Sequence, residues 1–161
     1  MEVDQAKLEE TKKEAEKFYK TIGEIYCPYF KNKVAFNVKG LDHIKLKEWN
    51  KARSAVDQYI RLKLLRLTPS VLKESYTLQE FYETSKFERQ KINSRWEQRL
   101  VRVSYHGFVA IVNGTRIKII IKQVEGGTRF FWSIIPFWKS KKDDFSNKIR
   151  KILHEGDLET Q

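Results

Sequence analysis

Few residues of this chain combine a reactive side chain with a telling position. His43 stands in Asp42-His43-Ile44-Lys45, at the junction of a predicted strand and a predicted helix. Its imidazole titrates near neutrality, so it can take up or release a proton. His106 precedes Gly107 in a predicted turn and is a second candidate, and His154, the last of the three histidines, lies in a charged tail. Lys118 and Lys122 alternate along one predicted strand, and Arg129, Phe131 and Ser133 along the next. A proton carrier, fixed cations and a hydroxyl are the equipment for cutting RNA without a metal. The 2′-OH attacks the adjacent phosphorus, a base removes its proton, and cations hold the charge that builds on the phosphorane. Phe131, between two basic positions, is the kind of ring on which a base stacks. Each feature also has a plainer reading. An isolated histidine at that position also serves as a helix cap, and alternating polar residues mark the solvated face of any half-buried sheet.

The elements that must hold these residues in place are legible around Arg116 to Trp138, RIKIIIKQVEGGTRFFWSIIPFW. The alternation predicts two strands, and Gly126-Gly127 predicts a two-residue hairpin between them. That turn sets Lys122 opposite Phe131, Ile121 opposite Trp132 and Ile120 opposite Ser133. Ile117, Ile119, Ile121, Phe130, Trp132 and Ile134 then form a core face, and Lys118, Lys122, Arg129, Phe131 and Ser133 a cationic one. A slip of one residue would exchange the second strand's faces. Upstream, Arg99 to Tyr105 and Phe108 to Val112 alternate as two further strands. Asn113-Gly114, a strong hairpin signal, pairs Ala110 with Ile117 and Phe108 with Ile119.

The N-terminal half reads differently. Met1 to about Ile25 is rich in Glu, Lys and Ala and predicts a helix docked through its second half. Asn32 to Lys39 alternates as a short strand that Gly40 ends. Lys45 to Leu67 predicts a long helix with Leu46, Trp49, Val56, Ile60, Leu64 and Leu67 on one face and Arg53 among them. Thr68-Pro69 opens another helix. Thr77 and Glu80 form a capping-box pattern before a helix through Leu78, Phe81, Tyr82 and Phe87. Phe145, Ile149, Ile152 and Leu153 predict a marginal C-terminal helix. The class is therefore α+β, with N-terminal helices on one face of a four- to five-stranded antiparallel sheet. Its divisions are a charged helix over residues 1–25, the main unit over 26–139 and a charged tail over 140–161.

Composition narrows the partners. The chain has 161 residues, with 32 Lys and Arg against 21 Asp and Glu, a net charge of +11. Such an excess attracts polyanions. A single cysteine, Cys27, permits no internal disulfide and no multi-cysteine zinc site, and nothing near it suggests thiol catalysis. No Gly-rich phosphate loop, paired-histidine metal motif or nucleophile elbow is present. No metal or cofactor is expected, no membrane span, and a cytoplasmic location.

The C-terminal pattern RIKIIIKQVEGGTRFFWSIIPFW resembles the final hairpin of the barnase, EndoU, colicin and RelE-like ribonuclease superfamily, closest to its phage-associated branch. GLDHIKLKEWNKAR and QYIRLKLLRLTPSVLKES are similar to the helical half of such proteins. The resemblance spans roughly Phe30 to Trp138. It implies a small, metal-independent, toxin-like endoribonuclease acting on tRNA or mRNA and paired with an antitoxin or immunity protein. It implies His43 as general base or acid, Lys122 at the scissile phosphate, Arg129 on its added charge and Ser133 orienting it. Lys45, Lys118 and Phe131 would bind RNA. The chain departs from some relatives in lacking a clear second catalytic histidine or tyrosine, and the long N-terminal helix is not a feature of the family. Two other readings remain open. One is an RNA-binding or ribosome-associated module without catalysis, and the other is a protein-interaction or inhibitor domain.

Overall fold

A computed structural model describes residues 2–48 and 51–136. The chain order is α1 (Gln5–Ile22), β1 (Glu24–Cys27), β2 (Asn32–Ala35), α2 (Val38–Lys45), β3 (Leu46–Glu48) and β4 (Lys51–Ala52). Then come α3 (Ala55–Leu64), a 3-10 turn at Leu65–Leu67, α4 (Thr68–Lys73), β5 (Glu80–Ile92), β6 (Arg95–Val112), β7 (Thr115–Val124) and β8 (Phe130–Pro136). The α+β class holds, but the sheet is larger than expected and mixed. It has six strands in the order β1-β2-β8-β7-β6-β5, and β2 runs parallel to β8. The β5 to β8 part is an antiparallel meander.

The helices cover one face. Leu8, Ala15 and Tyr19 of α1, Leu41 and Ile44 of α2, and Leu62 of α3 share a core with Phe108, Ile117, Ile119, Ile121, Phe131 and Ile134. α1 docks along its length, through Leu8, Thr11, Ala15 and Tyr19, rather than by its second half alone. Gly40 does not end a strand. It lies inside α2, where a Cβ would stand 2.1 Å from the Phe131 carbonyl oxygen, so the helix backbone sits directly on β8. Asn37 caps α2 through the Gly40 N–H.

Four expectations are corrected. Leu46–Glu48 and Lys51–Ala52 pair as a small antiparallel ladder, so α3 begins only at Ala55, capped by Ser54. Its buried stripe is Gln58, Arg61 and Leu62, continued by Leu65, rather than Val56, Ile60 and Leu64. The capping-box segment is not helical. Glu80 opens β5, whose Phe, Tyr, Thr and Ile residues suit a strand and pair with β6 from Glu80–Gly107 to Ile92–Arg95. The predicted strands 99–105 and 108–112 are both parts of β6. Trp49, Trp138 and the C-terminal helix lie outside the described residues.

The hairpin at Asn113-Gly114 pairs Ala110 with Ile117 and Phe108 with Ile119, as its turn chemistry predicts. The next hairpin does not keep its predicted register. Ile120 meets Ser133, but Ile121 meets Phe131 and Lys122 meets Phe130, leaving Trp132 as the extra residue of a bulge. The bulge exchanges the first part of β8. Phe131 turns inward, fully buried and stacked on Phe36 at 5.2 Å, while Phe130 takes the Lys122 side.

Candidate functional site

Beyond Phe130, no strand among the described residues pairs with the outer edge of β8, since β2 meets it only at Ala35–Phe130. α2 and α3 come up to that edge instead, and the bulged Trp132 lies there. The His43 ring stacks on the Trp132 indole at 4.0 Å, with 17° between planes. Lys122 Nζ lies 4.3 Å from the centre of the same indole and 5.7 Å from that of Tyr105. His43 and Lys122 are thus two groups of one cluster with Trp132 between them.

Two arginines of the helical half complete it. Arg53 donates from Nε to the His43 carbonyl oxygen at 3.0 Å, and its Nη2 lies 3.2 Å from His43 Nε2. A guanidinium only donates, so His43 Nε2 is the acceptor and the neutral ring carries its proton on Nδ1. Arg61 donates to Ser133 Oγ at 2.8 Å and to the Ile134 carbonyl at 3.3 Å, on the outer edge of β8. Asp57 lies between the arginines, 3.4 Å from Arg53 and 2.7 Å from Arg61. On the strand side, Glu88 of β5 plays the same part between Lys122 at 2.9 Å and Lys86 at 3.3 Å.

Among the described residues this cluster brings together four cations, Arg53, Arg61, Lys86 and Lys122, and two carboxylates, Asp57 and Glu88. These charges lie in an environment where water is scarce, since Arg53, Arg61, Lys122 and Ser133 are all buried. Its effect is visible on His43. Burial first, then the charges of Arg53, Arg61, Lys122 and Lys86, lower its pKa to about 3, so the ring is neutral at pH 7. Burial and Arg61 lower Arg53 to about 10, which still leaves it charged. Burial opposes ionisation of Glu88, yet its hydrogen bond from Lys122 and the nearby lysines hold its pKa below the usual value.

Of the residues singled out in the sequence, His43, Lys122 and Ser133 come together here. The others do not. Arg129 stacks its guanidinium over Phe30 at 4.5 Å, and its charge helps to lower the pKa of His106. Lys118 is 2% exposed and ion-paired with Glu80 at 2.9 Å. Phe131 belongs to the core, and Lys45 is salt-bridged to Glu16 of α1. His106 is buried against Phe30 and Phe81, and burial first, then Arg129, lower its pKa to about 4. Cys27 is fully buried with a raised pKa, caused first by burial, which suits a packed thiol rather than a nucleophile.

Arg53, Asp57, Arg61, Lys86, Glu88 and Trp132 are the members sequence reasoning left out. One signal was available. Arg53, Asp57 and Arg61 repeat every four residues, which stacks opposite charges along one side of a helix. Lys86 and Glu88 gave none, because their segment reads as helix. Among the described residues, no three His, Cys, Asp or Glu side chains gather as a metal site, and no helix is long and apolar enough to cross a membrane. Comparison with protein-family models, with curated proteins and with solved structures found no match to this chain.

Proposed function

We propose that this protein acts on RNA, holding a backbone phosphate at the His43–Arg61–Lys122–Ser133 cluster and cleaving the chain by attack of the 2′-OH. The observation that carries the reading is that Arg61, with Ser133 hydrogen-bonded to it, and Lys122 gather around the neutral imidazole of His43 and the Trp132 ring stacked on it. Arg61 and Lys122 hold the non-bridging oxygens and stabilise the charge that grows on them, and Ser133 orients the same group. His43, neutral at physiological pH, takes the 2′-OH proton through Nε2 once Arg53 turns its guanidinium to the phosphate. The 2′-oxygen bonds to phosphorus, the 5′-oxygen leaves with a proton from solvent, and a cyclic phosphate remains. Arriving phosphate charge raises the His43 pKa towards the useful range.

A specific observation favours the second reading, an RNA-binding module without catalysis. His43 Nε2 is already engaged by Arg53, and a base with so low a pKa accepts protons weakly. One experiment separates the two. Purified protein is incubated with total RNA and with tRNA in EDTA, beside His43→Ala and Lys122→Met variants whose folding is checked by circular dichroism. Discrete fragments with cyclic-phosphate ends from the wild type alone support cleavage. Intact RNA that the wild type nevertheless binds supports the module.

A further inference from the structure

β6 pairs with β7 only from Val103 inwards, while β5 and β6 stay paired out to Ile92–Arg95. Beyond that point the sheet continues as a two-stranded arm of seven rungs, from Lys86–Val101 to Ile92–Arg95. At strand spacing this is about 20 Å of ribbon. Asn93 and Ser94, with φ of 47° and 67°, turn it at the tip. Residues 86–102 hold six Lys or Arg against two Glu.

Alternation and register sort these side chains. One side presents Phe87, Arg89 and Lys91 of β5 with Trp96, Leu100 and Arg102 of β6. Its apolar members are open to solvent: Phe87 is 68% exposed, Trp96 60% and Leu100 62%. The other side carries Arg95 and Arg99, and at its root Lys86 and Glu88, which belong to the cluster around Lys122.

The distribution discriminates between occupants. A protein interface has an apolar centre from which charge is depleted. Here the apolar Phe87–Leu100 rung lies between the Arg102 rung and the Arg89 rung, and Trp96 sits opposite Lys91 with Arg89 over its ring at 5.1 Å. A second copy of this chain laid symmetrically on the same side would set these cations against their own equivalents. Rings interleaved with cations are what single-stranded nucleic acid requires, bases stacking while phosphates meet the charges.

We propose that the β5–β6 arm is a docking site for single-stranded RNA, with Phe87 and Trp96 stacking bases and Arg89, Lys91 and Arg102 binding the flanking phosphates. It rests on the reading of the protein as one that acts on RNA, and it extends the substrate contact from the cluster at the arm's root to its tip.

The test uses the full chain and a fluorescent single-stranded 2′-O-methyl RNA, which lacks the attacking hydroxyl and stays intact. Binding is followed by anisotropy over a series of salt concentrations. The Phe87→Ala/Trp96→Ala variant is expected to bind at least about fivefold more weakly for each base that loses its ring, with the salt slope retained. The Arg89→Gln/Lys91→Gln variant is expected to show a slope shallower by about 1.4, the value for two phosphate contacts on a single strand. If the wild type binds and both variants match it in affinity and slope, the arm proposal is overturned while the RNA reading stands, and the arm's open side is left to a protein partner. If the folded wild type does not bind the probe, the RNA reading falls and the arm proposal with it.

Discussion

The protein carries positive charge in two ways. In the cluster beside β8, Arg53, Arg61 and Lys122 are buried, and each is tied to a carboxylate shared with a second cation. On the β5–β6 arm, Arg89, Lys91, Arg95 and Arg99 stand in solvent. Burying a charge costs several kcal/mol unless partners surround it, so the cluster's geometry is fixed by its own ion pairs. Exposed charges cost little to display, are screened by salt and are free to follow a flexible ligand. On the proposed reading, the first region holds a single anion in a defined place and the second attracts a chain.

The largest effect is expected at the most deeply buried ion pair among the described residues. Lys118 and Glu80 side chains are 2% and 6% exposed. Lys118→Met leaves a buried carboxylate alone and is expected to cost about 3–5 kcal/mol in urea unfolding, whereas Lys118→Met/Glu80→Leu recovers most of it. Next in size, Asp57→Ala strips Arg53 and Arg61 of their shared partner. Because Asp57 is 30% exposed, the expected loss is smaller, about 2–3 kcal/mol. Arg89→Gln on the arm should stay within about 0.5 kcal/mol of the wild type, and a large effect there would erase the distinction.

The third test is pH. His43 and His106 have folded pKa values of about 3 and about 4, below the ordinary 6.5. The unfolded chain therefore binds more protons between these values and 6.5. The stability these groups contribute is present above pH 6.5 and is lost as pH falls towards the folded values. The slope reaches about 1.4 kcal/mol per pH unit for each histidine, and His43→Leu should remove its share in urea titrations at descending pH. A small stabilising effect is expected at the arm's tip. Ser94 adopts φ 67°, which glycine accepts without strain, so Ser94→Gly should raise Tm by an amount corresponding to about 0.5–1 kcal/mol.

Much of the architecture was written in short-range chemistry. Asn113-Gly114 specifies a tight hairpin, and the β6–β7 register follows from it because neighbouring residues alone set the twist of the turn. The alternation of Ile117, Ile119 and Ile121 marks the side of β7 that meets the helices, although Lys118, Ile120 and Lys122 on its other side are buried as well, and the helical composition of residues 5–22 fixes α1. His43, Lys122 and Ser133 were recognisable as residue types suited to one task.

Tertiary structure decided the rest. The bulge at Trp132 has no turn residue to announce it; it sets Phe131 against Phe36 and Tyr19 in the core and brings Trp132 to His43. A local pattern cannot choose between Phe131 and Trp132 for the interior, since both are large and apolar and only the packed helices distinguish the space each must fill. The segment from Glu80 carries a helix-capping pattern, yet pairing with β6 along its length outweighs a cap worth about 1 kcal/mol. Arg61 lies far from Ser133 along the chain and is hydrogen-bonded to it in the fold. Residue types announced a charge-based chemistry, and long-range packing selected the cations that are gathered at one place.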